Sequence, residues 1–398
     1  MNTRFCPTIL FTILTAISAT AADWPHWRGP QHNGISTEKL NLTGWTAAGP
    51  KQLWQTKVGI GCASVSIANG RLYTMGNHND TDTVWCLDAL TGKEIWKHEY
   101  AEPLKPFLYE GGPNATPTVD GDLVFTISKT GKIHCLRADT GKVVWTKKLS
   151  TDFGVDTPHF DGKEGWGHAG SAVVHGNMLL LDSVALNKTT GALLWKTDEN
   201  AAYSTPVVCF DNKLVALFNA TGLSLRNLAD GKLVAHHPWK TSYNVNAATP
   251  IIEGEKIFIS SGYNHGAMLL QFANNKLTPL WKDENKKMRN QMASCVLWQG
   301  CLYGINEDVF TCMDFATGNV KWTGGTGIKK GSLMMADGKL IILGDKGDLV
   351  IAEATPTAYK ELTRAKVLTG HCWSVPVLAN SRLYCKTIPG DLVCLDVK

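Results

Sequence analysis

The chain has 398 residues, of which 44% are hydrophobic and 19% are charged, a composition typical of folded globular proteins and unlike that of disordered ones. Its 39 lysines and arginines are nearly balanced by 35 aspartates and glutamates, so the net charge is only +4. A charge this small, with no run of consecutive basic residues longer than two, argues against nucleic acid or an anionic membrane as the partner.

The first 21 residues have the pattern of a cleaved secretion signal. Arg4 supplies a positive charge, residues 5–18 are largely apolar, and residues 19–21 (Ala-Thr-Ala) offer small side chains at the cleavage site. The apolar stretch is shorter than the ~20 residues that a spanning helix needs, and it contains Pro7. Because Cys6 lies at the start of this stretch, before its apolar core, instead of following it, a lipid anchor is not expected. The pattern predicts a bacterial protein without a membrane span that is periplasmic or secreted.

Residues 22–53 come before the first repeat, and we expect them to form an N-terminal arm that packs on the rest of the fold. Trp24 and Trp27 favour this interpretation, since tryptophans near a chain start are more often buried than displayed. From residue 54 to residue 398, a phrase ending in tryptophan returns after about 40 to 50 residues. The phrase Cys-Leu-Asp-x-x-Thr-Gly-x-x-x-Trp is clearest at residues 86–96 and recurs with variations at 135–145 and 312–322.

Each repeat has the pattern of four short β-strands, with tight turns such as Asn69-Gly70 between the first two and Thr-Gly turns before the last. A unit of this length cannot bury a hydrophobic face alone, so it must stack on its neighbours. The predicted fourth strands are marked by seven tryptophans and, one step further along, by a leucine: Trp54, Trp96, Trp145, Trp195, Trp239, Trp281, Trp322 and Leu362.

The last repeat ends before it has a fourth strand, whereas Trp54 lies on a strand that precedes any complete repeat. We therefore expect this spare strand to complete the C-terminal repeat. The predicted fold is all-β: an eight-bladed β-propeller of four-stranded blades, closed into a ring by its N-terminal strand. Two alternatives are an open solenoid, which leaves the spare strand unexplained, and a seven-bladed ring, in which residues 331–362 would be an insertion.

Ten of the eleven cysteines follow the predicted signal, and disulfides are compatible with an exported protein. Four cysteines occupy the same slot of different repeats, and we expect them to act as small buried hydrophobes: Cys86, Cys135, Cys312 and Cys394. Cys62 and Cys372 would begin the inner strands of adjacent repeats and are the better candidates for a disulfide. No Cys-x-x-Cys pattern occurs, so haem attachment and the common zinc patterns are not indicated.

With these repeats, the chain resembles the quinoprotein-like β-propellers, which were first described in pyrroloquinoline quinone (PQQ) dehydrogenases and recur in BamB-type outer-membrane assembly proteins. The resemblance covers residues 54–398 and rests on the repeated phrase. Residues 23–30 (Asp-Trp-Pro-His-Trp-Arg-Gly-Pro) are similar to the start of secreted members from planctomycetes and related bacteria. The resemblance implies the fold but not the activity, because the repeated residues are scaffold.

In such a ring, the loops that enter the innermost strands gather at one end of the central channel. These loops are rich in aromatic, cationic and amide side chains, and we expect eight residues to line a ligand-binding or cofactor-binding funnel there: Asn114, Trp166, His168, Tyr203, Asn246, Arg289, Lys330 and Trp373. Cations hold carboxylates and aromatic rings stack on planar groups, so PQQ is the cofactor that would suit this lining. The alternative is a polar channel mouth that binds nothing. No metal site is predicted: residues 151–165 contain several acids but lack the spacing of a calcium loop, which favours a solvated loop over the funnel.

Three functional hypotheses follow. The first is an exported, non-catalytic binding or scaffold protein of the BamB-like type, monomeric, with a protein partner or a small molecule at the ring face or in the funnel. The second is a PQQ-dependent alcohol or sugar dehydrogenase. It is weakened because the resemblance implies an adjacent cysteine pair and a calcium-ligating set for alcohol-oxidising members, and we find neither in the sequence. The third is a carbohydrate-binding accessory protein, which the aromatic side chains of the funnel suggest.

Overall fold

The repeats fold into four-stranded antiparallel sheets. The computed structural model describes residues 22–43, 45–46, 48–160, 163–199 and 203–398, so the predicted secretion signal lies outside the described residues. Two strands precede the first complete sheet, β1 (Ile35–Ser36) and β2 (Gln52–Lys57). They do not pair with each other, and each joins a sheet formed near the end of the chain.

Seven blades, numbered I to VII in chain order, are each built from four consecutive strands with the innermost strand first. Blade I consists of β3 (Ser66–Ala68), β4 (Arg71–His78), β5 (Thr81–Asp88) and β6 (Glu94–Ala101), and blade II of β7 (Thr118–Asp120), β8 (Leu123–Ile127), β9 (Lys132–Arg137) and β10 (Val143–Lys148). An insertion follows that contains α1 (Leu149–Phe153), β11 (His159–Phe160) and β12 (Lys163–Glu164). Blade III consists of β13 (Val173–His175), β14 (Met178–Leu180), β15 (Val184–Asn187) and β16 (Leu193–Lys196), and blade IV of β17 (Val207–Cys209), β18 (Leu214–Asn219), β19 (Gly222–Asn227) and β20 (Leu233–Pro238). The next three are V, β21 (Ile251–Glu253), β22 (Lys256–Ser261), β23 (Gly266–Ala273), β24 (Lys276–Lys282); VI, β25 (Val296–Trp298), β26 (Cys301–Asn306), β27 (Val309–Asp314), β28 (Val320–Gly324); and VII, β29 (Ser332–Ala336), β30 (Lys339–Leu343), β31 (Asp348–Glu353), β32 (Glu361–Lys366).

The eighth blade joins the two ends of the chain. Its first three strands are β33 (Val377–Ala379), β34 (Arg382–Lys386) and β35 (Asp391–Asp396), and its outermost strand is β2. Strand β2 is antiparallel to β35, with Trp54 opposite Cys394. The eight-bladed propeller closed by its N-terminal strand is thereby confirmed. The open solenoid and the seven-bladed ring are wrong, because residues 332–366 form a complete blade.

The segment before β2 crosses the ring on the side where the inner strands end. Near its start, Trp24 is only 3% exposed and exchanges two backbone hydrogen bonds of 2.8 Å with Ile67 of blade I. Further along, β1 pairs in parallel with β29 of blade VII. Glu38 then accepts a hydrogen bond of 2.6 Å from the backbone N–H of Ser381 in blade VIII. The segment therefore contacts blades at both ends of the chain.

The tryptophans of the outer strands hold neighbouring blades together. The indole of Trp96 in blade I is 8% exposed and donates a 3.0 Å hydrogen bond to the carbonyl oxygen of Ala138 in blade II. Its ring lies against Gly141, the glycine of the next Thr-Gly turn, where a Cβ atom would come within 2.6 Å of the ring. Trp54 makes the same contacts with Ala89 and Gly92. The Thr-Gly turn of the phrase thus forms the socket for the tryptophan of the preceding blade.

Two of the predicted outer-strand positions are displaced. In blade IV, the position opposite Leu225, where the tryptophan was expected, is occupied by Ala235. Trp239 lies after β20, and its indole donates a 3.0 Å hydrogen bond to Ser261 Oγ. In blade VII the slot is filled by Thr363, one residue after Leu362. Blade IV is followed by blade V, whose last two strands are joined through two asparagines at residues 274–275. Blade VII is followed by blade VIII, whose third strand is the last strand of the chain. Neither of these following blades has a Thr-Gly turn. Blade VII lacks this turn as well, yet Trp322 of blade VI keeps its indole, which donates a 2.8 Å hydrogen bond to the carbonyl oxygen of Thr355 and packs against Tyr359 instead of a glycine.

The cysteines of the described residues are all free thiols. Those of the repeated phrase are fully buried, as predicted: Cys86, Cys135, Cys312 and Cys394. In blade I, Cys86 lies directly opposite Trp96, so the small thiol faces the large indole across two paired strands. The disulfide considered between Cys62 and Cys372 is not formed: both cysteines are free, and the Cys372 thiol lies 3.5 Å from the carbonyl oxygen of Gly370.

We expect Gly141→Ala to destabilise the protein by about 1 to 3 kcal/mol more than Gly121→Ala does. Both glycines have positive φ angles, +70° and +59°, so each substitution carries the cost of about 1 kcal/mol for a left-handed alanine. Only at Gly141 does the new methyl group also collide with an indole, since Gly121 has no atom within 4 Å of a Cβ. Urea unfolding followed by circular dichroism measures the difference. Equal losses would contradict the socket.

Candidate functional site

Loops from all eight blades surround a cavity of about 330 Å³ at the end of the channel where the inner strands begin. We call this cavity the cup. Its floor is Trp27 of the N-terminal segment, whose indole donates a 3.0 Å hydrogen bond to Thr249 Oγ1 of blade V. The cup is lined by Trp27, Cys62, Leu108, Tyr109, Asn114, Trp166, Ala169, Ser171, Tyr203, Thr205, Val245, Ala247, Tyr263, Gln291, Met292, Lys330, Trp373 and Ser374.

Five of the eight residues that the sequence predicts for a funnel line the cup: Asn114, Trp166, Tyr203, Lys330 and Trp373. They come from the loops that enter the inner strands, as the propeller pattern indicates. Their binding of a cofactor stays a prediction.

The other three predicted residues do not line the cup, because each is held behind its wall. His168 is 2% exposed, and burial lowers its pKa to about 3. Asn246 is fully buried and donates to the carbonyl oxygens of two other residues while accepting from a third, a set of contacts that holds the loop. Arg289 is ion-paired with Glu307 at 3.2 Å. Polar residues in these loops can either hold the backbone or face the channel, and the sequence pattern does not distinguish the two.

Aromatic rings form two walls of the cup. On one side, Trp166 packs edge-to-face against Tyr203, with ring centroids 5.8 Å apart, and lies 6.4 Å from Tyr263. On the other side, Trp373 lies nearly parallel to Tyr109 at 6.4 Å, and its indole N–H donates to Asp345 Oδ1 at 2.8 Å. Because these rings hold each other and several polar tips are bonded within the protein, the faces that border the cup are apolar.

Asn114 ties the loop before blade II to the loop before blade III. Its amide nitrogen donates to Tyr109 Oη at 3.1 Å and to the carbonyl oxygen of Trp166 at 2.9 Å. This assignment leaves Asn114 Oδ1 as an acceptor with no donor among the described residues. The oxygen belongs to a cup-lining side chain, so it is available to a hydroxyl group in the cup.

Tyr109 was missed by the sequence analysis because it lies in the long loop between β6 and β7, several residues before the inner strand. Two buried acids hold that loop. Asp82 accepts a 2.7 Å hydrogen bond from Asn77, whose amide also donates to the carbonyl oxygen of Glu102 at the start of the loop. Glu102 in turn accepts a 3.0 Å hydrogen bond from Ser128 Oγ. A buried acid in β5 and another directly after β6, together with the buried Asn77 of β4, are the signal that marks an anchored loop.

Tyr263 and Trp27 were also missed as cup residues. Tyr263 lies in the turn between β22 and β23, not in a loop that enters an inner strand. Trp27 reaches the cup from the opposite side of the ring, and sequence spacing gives no indication of that path.

The cup contains a single charged side chain among its lining residues, that of Lys330. Lys330 is half-buried, and within the part of the chain that the structure describes its ammonium group makes no ion pair or hydrogen bond. The neighbouring Lys329 is exposed and does not line the cup. One positive charge therefore borders the cup, and the acid nearest to it in the lining of a small adjacent cavity, Glu307, is ion-paired with Arg289.

Cys62 lines the cup next to a buried lysine. Lys386 is 2% exposed and donates a hydrogen bond to the carbonyl oxygen of Gly61, and burial lowers its pKa to about 8. Burial also raises the pKa of the Cys62 thiol to about 12. A thiol with such a pKa is protonated at neutral pH and is a poor nucleophile.

A second cavity of about 390 Å³ lies on the other side of the N-terminal segment, between this segment and the inner strands of blades III, IV and V. Arg28 lines it and is held by three carbonyl oxygens, including that of Cys295 in blade VI at 2.9 Å. Burial lowers the pKa of Arg28 to about 10. Trp27 and Arg28 thus face two different cavities, and the segment separates them.

The insertion between blades II and III differs from the predicted loop. It contains the short helix α1 and the two-stranded hairpin of β11 and β12. Asp161 falls outside the described residues. Among the residues that are described, no three His, Cys, Asp or Glu side chains are arranged to hold a metal ion.

A family model described as outer membrane protein assembly factor BamB matches residues 80–324, more than half of the chain. The chain belongs to this family. Similar sequences in Pseudomonas putida are the quinoprotein alcohol dehydrogenase PedH, 30% identical over 142 residues, and a quinoprotein ethanol dehydrogenase, 31% identical over 85 residues. These matches cover 32% and 21% of this chain but only 21% and 13% of the dehydrogenases.

Solved structures similar to this BamB-family chain share its fold at low identity. BamB from Moraxella catarrhalis aligns with a TM-score of 0.64 and 13% identity, covering 87% of this chain and 99% of that one. A europium-containing methanol dehydrogenase aligns with a TM-score of 0.69 and 11% identity, covering 94% and 89%. Quinohemoprotein alcohol dehydrogenase from Comamonas testosteroni gives 0.66 and 10%, covering 94% and 80%. A BamB protein and dehydrogenases therefore both resemble this propeller, and the fold does not choose between them.

No helix within the described ranges could cross a membrane, since α1 has five residues.

The buried acid that anchors the Tyr109 loop gives a pH dependence. Burial raises the pKa of Asp82 from 3.8 to about 7 in the folded protein. Between those values the folded state keeps a proton that the unfolded state has released, so this contribution to stability is lost as the pH rises from about 4 to about 7. We expect Asp82→Asn, which resembles the protonated form, to become more stable relative to the natural protein across this range, by a few kcal/mol at most. Unfolding free energies measured from pH 4 to pH 8 test this.

Glu99→Gln is the control, because Glu99 lies on the neighbouring strand but is exposed. Its stability profile should run parallel to that of the natural protein. A parallel profile for Asp82→Asn as well would show that Asp82 is ionised in the folded state.

Proposed function

We propose that this BamB-family propeller is an exported, non-catalytic binding protein that takes a small ligand into the cup. The proposal rests on the cup's lining, which holds six aromatic side chains and one lysine. Proton transfer in catalysis needs a positioned acid or base, and no histidine, aspartate or glutamate of the described residues lines the cup. The one thiol there is held protonated by its high pKa. A concave apolar site with a few polar groups is typical of ligand binding.

The alternative is a PQQ-dependent dehydrogenase, and the residues of the cup do not fit that cofactor. PQQ carries three carboxylates, whereas Lys330 is the cup's one cation and Arg289 is engaged by Glu307 outside the lining. The described lining also lacks carboxylates that could ligate a calcium ion beside the cofactor. The lining of the cup therefore gives the PQQ alternative no support.

We expect PQQ titrated into the purified protein, with and without calcium, to bind weakly or not at all, with Kd above about 0.1 mM. Absorbance and tryptophan fluorescence measure binding, and reduction of an electron-accepting dye with a panel of alcohols and sugars measures turnover. Tight PQQ binding together with dye reduction would replace the proposed function by the dehydrogenase.

Export is supported by the N-terminal pattern of residues 1–21. When the full chain is expressed in a Gram-negative host, we expect the mature protein in the periplasmic or medium fraction, beginning near Ala22 or Asp23. N-terminal sequencing and intact mass determine the start. Replacing the apolar residue Leu10 by Arg should leave an uncleaved precursor in the cytoplasm. Cleavage that persists in this variant would contradict the assigned signal.

A protein partner at the ring face is the second candidate, which the family's description as an outer membrane protein assembly factor favours. Crosslinking of the natural protein in its native envelope tests it. A monomeric crosslinking pattern with no partner would leave the cup as the site of function.

A further inference from the structure

We propose that the ligand of the cup is a small molecule with one flat, largely apolar face, one carboxylate and at least one hydroxyl group. This inference rests on the proposed binding function and names its ligand class. Uronic acids and hydroxylated aromatic acids share this chemistry, and the experiment below distinguishes them.

Lys330 is the residue that indicates a carboxylate on the ligand. A half-buried lysine normally gains an acidic partner for its ammonium group, because desolvation of an unpaired charge is costly. Lys330 has no such partner within the described ranges, and the other lining side chains are uncharged. Other lysines of the protein do find partners, such as Lys360 with Glu353 at 2.6 Å. A ligand carboxylate would supply the missing charge, and one carboxylate would balance it.

The positions of the aromatic rings indicate that the ligand has a flat face. Lys330 precedes the inner strand of blade VII, and Trp166 precedes that of blade III, which stands opposite blade VII in a ring of eight. A molecule whose acid group reaches Lys330 therefore extends across the cup towards the wall of Trp166 and Tyr263. The floor indole of Trp27 lies beneath it. Ring faces of this kind pack against planar aromatic groups and the apolar faces of sugars.

Asn114 is the residue that indicates a hydroxyl group on the ligand. Its amide nitrogen is used by Tyr109 and Trp166, which fixes this cup-lining side chain and leaves its Oδ1 as an acceptor with no donor among the described residues. Gln291 also lines the cup and can exchange hydrogen bonds with a second hydroxyl. A cavity of about 330 Å³ lies near the lower end of the range for small-molecule sites, roughly 300–1,000 Å³, which suits one or two rings.

Two matched pairs of probes isolate the carboxylate: glucuronate against glucose, and 4-hydroxybenzoate against 4-hydroxybenzyl alcohol. We expect the acid of one pair to bind at least about 10-fold more tightly than its neutral partner, as measured by isothermal titration calorimetry on the mature protein. The pair that shows the effect identifies the source as a sugar acid or an aromatic acid.

Lys330→Met should reduce the affinity for that acid to the level of its neutral partner while leaving the neutral partner unchanged. Lys329→Met is the matched control, because it removes the same charge from the adjacent exposed residue, and it should bind as the natural protein does. Trp166→Leu should weaken acid and neutral probes alike. Circular dichroism verifies that each variant is folded.

Equal affinities for acid and neutral probes, or an effect that Lys329→Met reproduces, would overturn the ligand class and leave the cup as a binding site. Failure of all four probes to bind would also overturn the ligand class. The proposed non-catalytic function fails by a different result, namely turnover of an alcohol or sugar with bound PQQ.

Discussion

The propeller depends on one repeated contact, in which an outer-strand indole of one blade rests on the turn glycine of the next and donates a hydrogen bond to a nearby carbonyl oxygen. The contact combines burial of a large apolar ring with satisfaction of its only polar atom. At the glycine turns the ring lies where a Cβ atom would collide with it, so no larger residue fits there. Where the sequence omits the tryptophan, at Ala235 and Thr363, the next blade also omits the glycine turn. Five indoles, from Trp54 to Trp281, rest on such a glycine, whereas Trp322 packs against Tyr359 in a turn that has none.

The second organising element is the N-terminal segment. It closes the channel from below and places Trp27 as the floor of the cup and Arg28 as a wall of the lower cavity. Without it, eight inner strands would surround a through-channel, and the ring of loops would have no base on which a ligand could rest. The geometry of the cup is thus shared between the repeats, which supply the walls, and a non-repetitive segment, which supplies the floor.

The architecture was predictable from the sequence because its signal is repeated. The same residues recur in each repeat, so a wrong strand prediction in one blade is corrected by comparison with the other blades. Trp239 shows the limit of that reasoning, since the correct residue type lies four positions after the slot it was expected to fill. The site was predictable only in part. The loops that meet at the mouth follow from topology, but the direction of each side chain depends on tertiary contacts, so Asn246 and Arg289 could not be separated from Asn114 and Lys330. Trp27 and Tyr109 reach the cup through segments that carry no periodic signal.

The closing strand β2 has a consequence for how the chain reaches its final form. It is made before any blade, yet its partner β35 ends only two residues before the C-terminus. Contacts between such distant segments carry a large entropic cost of loop closure, so this pairing is expected to form late. Until then, the six residues of β2 are unpaired. Their sequence, Gln-Leu-Trp-Gln-Thr-Lys, is largely polar, which disfavours pairing of this strand with another molecule and hence aggregation.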